Sequence, residues 1–250
     1  MLHTGPPTVD SFALPNARVS HVRCGACPIR ERAICAYCDA PELQRLDAMK
    51  SYRDYAAGRE IMSAGECSTW VGSIVRGVVK LTKTLPDGRS QMVGLLFPGD
   101  FIGHPKRAEA EFDAVAATDA TLCMFQRAPF ETLLRDTPHL ETRLLDMTLN
   151  ELDAARDWLL LLGRKTARER IATFLMMLAR RAGKAAMAAK GPLEFALPLS
   201  RGEIAEYLGL TIETVSRHMT RLRADGVIAF DTARSVAVPD IAALAVEAGD

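Results

Sequence analysis

Residues 204–217 read Ile204-Ala205-Glu206-Tyr207-Leu208-Gly209-Leu210-Thr211-Ile212-Glu213-Thr214-Val215-Ser216-Arg217. Just upstream, Ser200 followed three residues later by Glu203 is a capping-box signature, and it opens a helix through Ile204, Ala205 and Leu208. Gly209 ends that helix and Thr211 caps the next. In this second helix Ile212, Val215, Met219 and Leu222 form a stripe expected to face inward, whereas Glu213, Ser216, Arg217, Thr220 and Arg221 face outward. Gly226 closes it after Asp225. Two short helices joined by a glycine turn, the second apolar inside and polar outside, predict a helix-turn-helix. Residues 227–230 and 236–238 then bracket 231–235 as a β-hairpin wing, with Arg234 at its tip placed to touch phosphate.

The outward face has the chemistry of base reading. Arg217 can donate to guanine O6 and N7 together, Glu213 can accept from cytosine N4, and Ser216 can bond either kind of edge. At i, i+3 and i+4 the three share one helical face. Glu213 and Arg217 also have the spacing of an ordinary solvated ion pair. The 250-residue chain has zero formal net charge, but residues 164–250 carry 13 Lys/Arg against 10 Asp/Glu. That surplus is compatible with double-stranded DNA without requiring it.

Upstream, the chain changes character twice. Over 59–127, short apolar runs at 70–75, 78–81 and 92–97 are separated by Gly77, Pro86-Asp87-Gly88 and Pro98-Gly99. These predict strands joined by tight turns in a compact antiparallel roll. From Thr137-Pro138 to Gly163 no internal Gly or Pro interrupts, and Leu144, Thr148, Ala155, Trp158 and Leu162 recur near helical or heptad spacing. Leu145, Leu149, Leu152 and Leu159 line a neighbouring face, so this one long helix has an apolar face for the roll and another for a second subunit. A helix follows from Thr166 to about Arg181, and residues 183–191 read as a surface connection. The expected fold class is α+β: a cysteine-rich segment over 1–40, a β-roll over 41–136, a dimerisation helix over 137–163 and a winged helix-turn-helix over 164–250.

The six cysteines run Cys24-x2-Cys27-x7-Cys35-x2-Cys38, then Cys67 and Cys123. No run of eighteen apolar residues exists, and the first twenty residues have no apolar core or cleavage-like site, which predicts a cytoplasmic protein without a membrane partner. In a reducing cytosol, metal binding explains four clustered cysteines better than disulfides do. By spacing alone, the first four suit either a tetrahedral zinc knuckle or most of the ligands of a 4Fe-4S cluster. Cys67 is expected to be a small buried hydrophobe in the roll.

The stretch 204–217 resembles the helix-turn-helix of the CRP/FNR superfamily, and its Glu213-x-x-Ser216-Arg217 core resembles the FNR branch. The likeness continues through Gly99-Asp100-Phe101-Ile102-Gly103 in the roll and through Asn150-Glu151-Leu152 and 159–165 in the long helix. It implies a homodimeric, oxygen-responsive regulator, mainly an activator under low oxygen. Such a regulator works with RNA polymerase and recognises palindromic TTGAT-type half-sites through Glu213, Ser216 and Arg217. It also implies a 4Fe-4S cluster held by three clustered cysteines and one from the roll, a plan that Cys24, Cys27, Cys35 and Cys123 fit. The longer third spacing resembles the FnrL/FnrN-type members and leaves Cys38 as an alternative to Cys35. On the contact face of the dimer helix, the family's acidic residue is replaced here by Ala155. The implied consequence is an apo form that dimerises more readily.

The roll resembles a cyclic-nucleotide-binding fold, yet Gly103-His104-Pro105 and Phe112-Asp113 stand where a phosphate cassette needs Gly-Glu-Leu and Arg-Ser. An aspartate repels the phosphate, which argues against cyclic AMP or GMP. His104 is read as a loop residue. No nucleophile elbow, phosphate loop, HExxH or dinucleotide fingerprint points to an enzyme. His3, His21, His139 and His218 are scattered. A haem-dependent regulator would leave Cys24 to Cys38 without a purpose.

Overall fold

The computed structural model describes residues 22–182, 192–232 and 234–249. The expected irregular start, His3, His21, the connection over 183–191 and residue 233 of the wing turn lie outside the described residues. The chain divides into two compact units at Leu159/Leu160.

In the first unit a cysteine loop with a single 3-10 turn at Cys24–Ala26 leads into α1 (Ala40–Met49). Asp39 caps α1 by accepting from the Glu42 amide, the Glu42 carboxylate accepts in turn from the Asp39 amide, and Pro41 sits in the first turn. Such a start satisfies helix amides that have no intrahelical partner.

Eight strands follow: β1 (Lys50–Tyr55), β2 (Glu60–Met62), β3 (Trp70–Arg76), β4 (Val79–Thr84), β5 (Ser90–Leu96), β6 (Phe101–Ile102), β7 (Asp113–Ala116) and β8 (Ala120–Gln126). They pair antiparallel in two four-stranded sheets, ordered β1-β8-β3-β6 and β2-β7-β4-β5. The roll interior gathers Tyr55, Ile61, Ile74, Val79, Leu96, Ile102, Leu122 and Met124.

Inside its sheet, between β1 and β3, β8 is covered on both faces, so its first six residues are buried without alternation. Leu122 and Met124 face the roll interior; Cys123 and Phe125, with Val71 and Val75 of β3, face a second core. That second core is closed by Ile29, Ala33, Ile34 and Leu46, by Phe130, Leu133 and Leu134 of α2 (Arg127–Asp136), and by Leu140 of α3 (Pro138–Arg164). Phe130 stacks on Phe101 and packs against Phe125 at centroid distances of 5.8 and 5.4 Å. Burying a ring of this size contributes about 1.5–3 kcal/mol.

Cys67 departs from expectation. It is exposed, in an isolated antiparallel bridge with Glu109, because the chain between β2 and β3 runs as turns along the roll surface.

The second unit begins at Leu160 and holds α4 (Ala167–Arg181), β9 (Leu193–Ala196), α5 (Arg201–Leu208), α6 (Ile212–Ala224), β10 (Ala229–Thr232), β11 (Ser235–Val238) and α7 (Ile241–Ala248). Thr166 with Glu169 and Ser200 with Glu203 form complete capping boxes on α4 and α5. Gly209 ends α5 at φ +62°, a left-handed conformation that glycine adopts without a Cβ penalty. The wing hairpin is extended by β9 into a three-stranded sheet, β10-β11-β9. Val215, Met219 and Leu222 are buried as the stripe predicted, but Ile212 is 52% exposed. As the first residue after the Thr211 cap it overhangs the core, and Gly202 beneath it has no side chain to cover it.

Candidate functional sites: a thiol pocket and a nucleic-acid interface

Cys24, Cys27, Cys35 and Cys123 line one pocket together with Tyr52, Ser73, Ile29, Ala33, Ile34, Leu46 and Phe125. Three of these thiols come from the loop before α1, and the fourth comes from the middle of β8. Cys38 is 5% exposed within the same core but is not part of the pocket lining.

Arg30 gives the loop its shape. Its Nη1 donates to the carbonyls of Cys35 (2.6 Å) and Ala36 (2.7 Å), and its Nη2 donates to that of Cys38 (2.7 Å). At the other end, the Cys24 amide donates to Asp47 Oδ1 at 2.8 Å, and Asp47 also accepts from Lys50. The bonds from Lys50 and from the Cys24 amide hold the Asp47 carboxyl down at about 2. From α3, Arg143 donates through Nε to the Ala33 carbonyl (3.2 Å) and through Nη2 to the Arg32 carbonyl, with its guanidinium 5.3 Å from the Tyr37 ring centre.

The strand supplying Cys123 is placed by an unusually close ladder. A Cβ on Gly72 of β3 would lie 2.5 Å from the Cys123 carbonyl oxygen, so only glycine fits there. Cys123 is paired with Tyr52 on β1 and with Ser73 on β3. Both were missed by the sequence reading, which had no register to place them beside the cysteine. Ser73 is 2% exposed, and its Oγ has no hydrogen-bond partner among the described residues. A buried hydroxyl left unpaired costs about 1–3 kcal/mol.

Burial dominates the thiol chemistry. It pushes Cys24 up to about 12, Lys50 countering it in part, and pushes Cys38 up to about 12 with Cys35 adding to the shift. Burial also raises Cys35, against the opposing charge of Arg30, and raises Cys123, where Cys24 and Cys27 add to it. Raised in this way, the pocket thiols Cys24, Cys35 and Cys123 favour their protonated form, and a cation that binds there must displace the protons. Among the described residues no three His, Cys, Asp or Glu side chains converge closely enough to hold a single metal ion.

In the second unit, Glu213, Ser216 and Arg217 are all exposed on one face of α6. Glu213 and Arg217 make no ion pair with each other among the described residues; Arg217 Nη2 lies 3.5 Å from Thr214 Oγ1. The backbone amide of Glu213 and the Thr211 hydroxyl hold the Glu213 carboxyl below its ordinary range, so it is an acceptor. The C-terminal end of α6 is anchored by Arg168, whose Nη2 donates to Asp225 at 2.7 Å while Nε and Nη2 grip Glu247 of α7. Thr220, Arg221, Arg223 and Arg234 are also exposed.

Along α3, Thr148 and Ala155 are exposed, and Trp158 and Leu162 are half-buried. Leu145, Leu152 and Leu159, seven apart, are 57, 45 and 71% exposed, and Thr148, Ala155 and Leu162 follow each by three. This is an a/d seam of about two and a half heptads. His104 is exposed and accepts from the Lys106 amide, and Asp113 Oδ1 accepts from the Ala64 amide. No helix among the described residues is long and apolar enough to cross a membrane.

Residues 169–246 match the Crp-like helix-turn-helix domain and residues 52–137 the cyclic nucleotide-binding domain. The chain is 54% identical over 229 residues to the transcriptional activator protein FnrL of Cereibacter sphaeroides, covering 91% of this chain and 92% of that one. It is 44% identical over 220 residues to a probable transcriptional activator of Rhizobium leguminosarum bv. viciae, covering 88% and 90%. Among solved structures it resembles FixK2 of Bradyrhizobium japonicum, with a TM-score of 0.71 and 36% identity over 79% of this chain and 96% of that one. A β-roll, a long helix and a winged helix-turn-helix in this order, with identity of this extent, place the chain in the CRP/FNR family of transcription regulators, as a DNA-binding regulator of the FNR/FixK type.

Proposed function

We propose that the protein is an oxygen-responsive homodimeric activator that binds palindromic TTGAT-type sites, works with RNA polymerase, and is controlled by a 4Fe-4S cluster on Cys24, Cys27, Cys35 and Cys123. The observation that carries the cluster reading is the shared pocket. Three loop thiols and one strand thiol meet there, with Cys38 left out of the lining.

The donor set suits a multi-atom core better than zinc. Tetrahedral zinc at about 2.3 Å from each sulfur needs sulfurs about 3.8 Å apart. Among the described residues no three His, Cys, Asp or Glu side chains are placed to hold a single metal ion, whereas thiolates around an iron-sulfide cube are held further apart than those around zinc. When bound, the cluster supplies an oxygen-labile tie between loop and roll. The chain's own residues do the rest: Arg30 holds the loop carbonyls, and Arg143 joins the loop to the helix that carries the leucine seam. Two recognition helices set one DNA turn apart, about 34 Å, require a dimer, and the exposed leucines of α3 offer the surface for it.

Iron and acid-labile sulfide should be measured on anoxically purified wild type, Cys35→Ala and Cys38→Ala, with binding to a TTGAT palindrome before and after air. Wild type and Cys38→Ala are expected to hold iron and sulfide in equal amounts and to lose DNA affinity in air; Cys35→Ala is expected to hold neither. A colourless anoxic wild type, a zinc-only protein or a sharp haem band refutes the proposal.

A further inference from the structure

The geometry points to Ser73 as a positioning residue of the thiol pocket, its hydroxyl donating to the Cys123 thiolate. The inference rests on the cluster reading above. Three observations support it. Ser73 is paired with Cys123 across the β3–β8 ladder, so both side chains leave the sheet on the same face, with Cβ atoms about 4.5–5.5 Å apart. Ser73 lines the same pocket as the four thiols, and it is the only pocket-lining residue whose buried side-chain oxygen is without a partner among the described residues. Tyr52, the neighbour of Cys123 on the other strand, already spends its hydroxyl on the Val22 carbonyl, at 3.3 Å.

Position 73 otherwise belongs to apolar surroundings. It lies between Val71 and Val75 on the face that meets Ile34, Leu46 and Phe125. An alanine or valine there would pack the same core without a desolvated hydroxyl. A serine is rational where something electron-rich fills the space it points into, and sulfur in thiolate form is such an acceptor. Hydrogen bonds to cluster sulfurs change the electron density on iron and the lability of the site, which makes Ser73 a tuning group rather than a ligand.

Wild type, Ser73→Ala and Ser73→Thr should be reconstituted anoxically, and three quantities measured: iron and sulfide per chain, the iron–thiolate stretching bands in light and heavy water, and resistance of the cluster to a chelator. All three proteins are expected to take up iron and sulfide. In Ser73→Ala the iron–thiolate band moves to higher frequency, its deuterium shift shrinks, and the cluster yields to about tenfold less chelator. Ser73→Thr keeps the hydroxyl and adds bulk, so it follows wild type in the bands. Loaded proteins with identical bands and deuterium shifts overturn this inference alone, as does a Thr variant that follows Ala, because packing then explains the change. A wild type that takes up neither iron nor sulfide overturns the cluster reading and this inference together.

Discussion

Arg143, in the second turn of the long helix, donates to the main-chain carbonyl of Ala33, 110 residues away inside the cysteine loop. The same guanidinium reaches the Arg32 carbonyl and lies over the Tyr37 ring. Main-chain carbonyls report where a loop is, whatever its side chains do. The bond therefore ties the loop's conformation to α3, which also carries the exposed leucines. Arg143→Met keeps the aliphatic stem and removes the donors, at an expected cost of about 1–2 kcal/mol. Its iron content should stay that of wild type. The difference in dimer dissociation between loaded and apo protein, measured by sedimentation, should shrink; an unchanged difference rules out this route.

Ala155 sits at a d position of the seam, three residues after Leu152 and seven after Thr148, and it is exposed. In a two-fold pairing of α3 the two copies of a d residue face each other. With alanine there, nothing opposes association, so the apo protein is expected to sediment with a substantial dimer fraction at micromolar concentration. Ala155→Asp places two carboxylates across the axis and should make the apo form monomeric. Leu152→Asp should do so in both states. A purely monomeric wild-type apo protein contradicts this expectation.

What could be read from sequence divides along a physical line. The helix-turn-helix was legible because its signals are local: a capping box at Ser200/Glu203, a left-handed glycine at 209, and a helical stripe of Val215, Met219 and Leu222. Ile212 belonged to that stripe by period, yet it is exposed, because period says which side a residue faces and not where the core ends. The strand β8 was not assigned. Buried on both faces, it shows no alternation, and Cys123 could be placed beside Cys24 only through a family likeness. Ser73 and Gly72 carry no local signal at all, since their meaning lies in the register with Cys123. Cys67 looks like Cys123 in a sequence, and only the run of the chain separates an exposed thiol from a buried one.

Arg217 is exposed on α6 and unpaired with Glu213 among the described residues, so its guanidinium gives up no ion pair with Glu213, only the long 3.5 Å bond to Thr214 Oγ1, to reach a base edge. Arg217→Ala is expected to cost about 1–3 kcal/mol on a TTGAT palindrome and to relax preference at one base pair of each half-site. If Arg234, exposed on the wing, meets a phosphate as its place in the sequence predicts, Arg234→Ala should weaken all sequences alike and flatten the salt dependence. Fluorescence anisotropy on the cognate site and on single-base variants separates the two. Equal losses on cognate and scrambled DNA for Arg217→Ala remove its assigned role.

The stability of the DNA-binding unit should fall in two steps as pH drops. Burial, then the charges of Arg217, Arg221 and Arg168, hold His218 below its ordinary value of 6.5, so the folded state takes up its proton later than the unfolded chain does. The unfolded state then binds more protons below about pH 6.5, and stability declines there with falling pH. Glu247 is likewise held below its ordinary 4.5, chiefly by its bonds from Arg168, with Asp225 opposing. Its contribution is complete above that value and is lost as the pH falls through the lower, folded one. Urea midpoints measured between pH 8 and 3.5 should show both declines in wild type. His218→Gln removes the upper step and leaves the lower, while Glu247→Gln lowers stability at pH 7 and reduces the lower step, to which Glu169 and Glu213, also held below their ordinary range, contribute as well. If His218→Gln leaves the upper step in place, the proton is taken up elsewhere and the burial of His218 is not its cause.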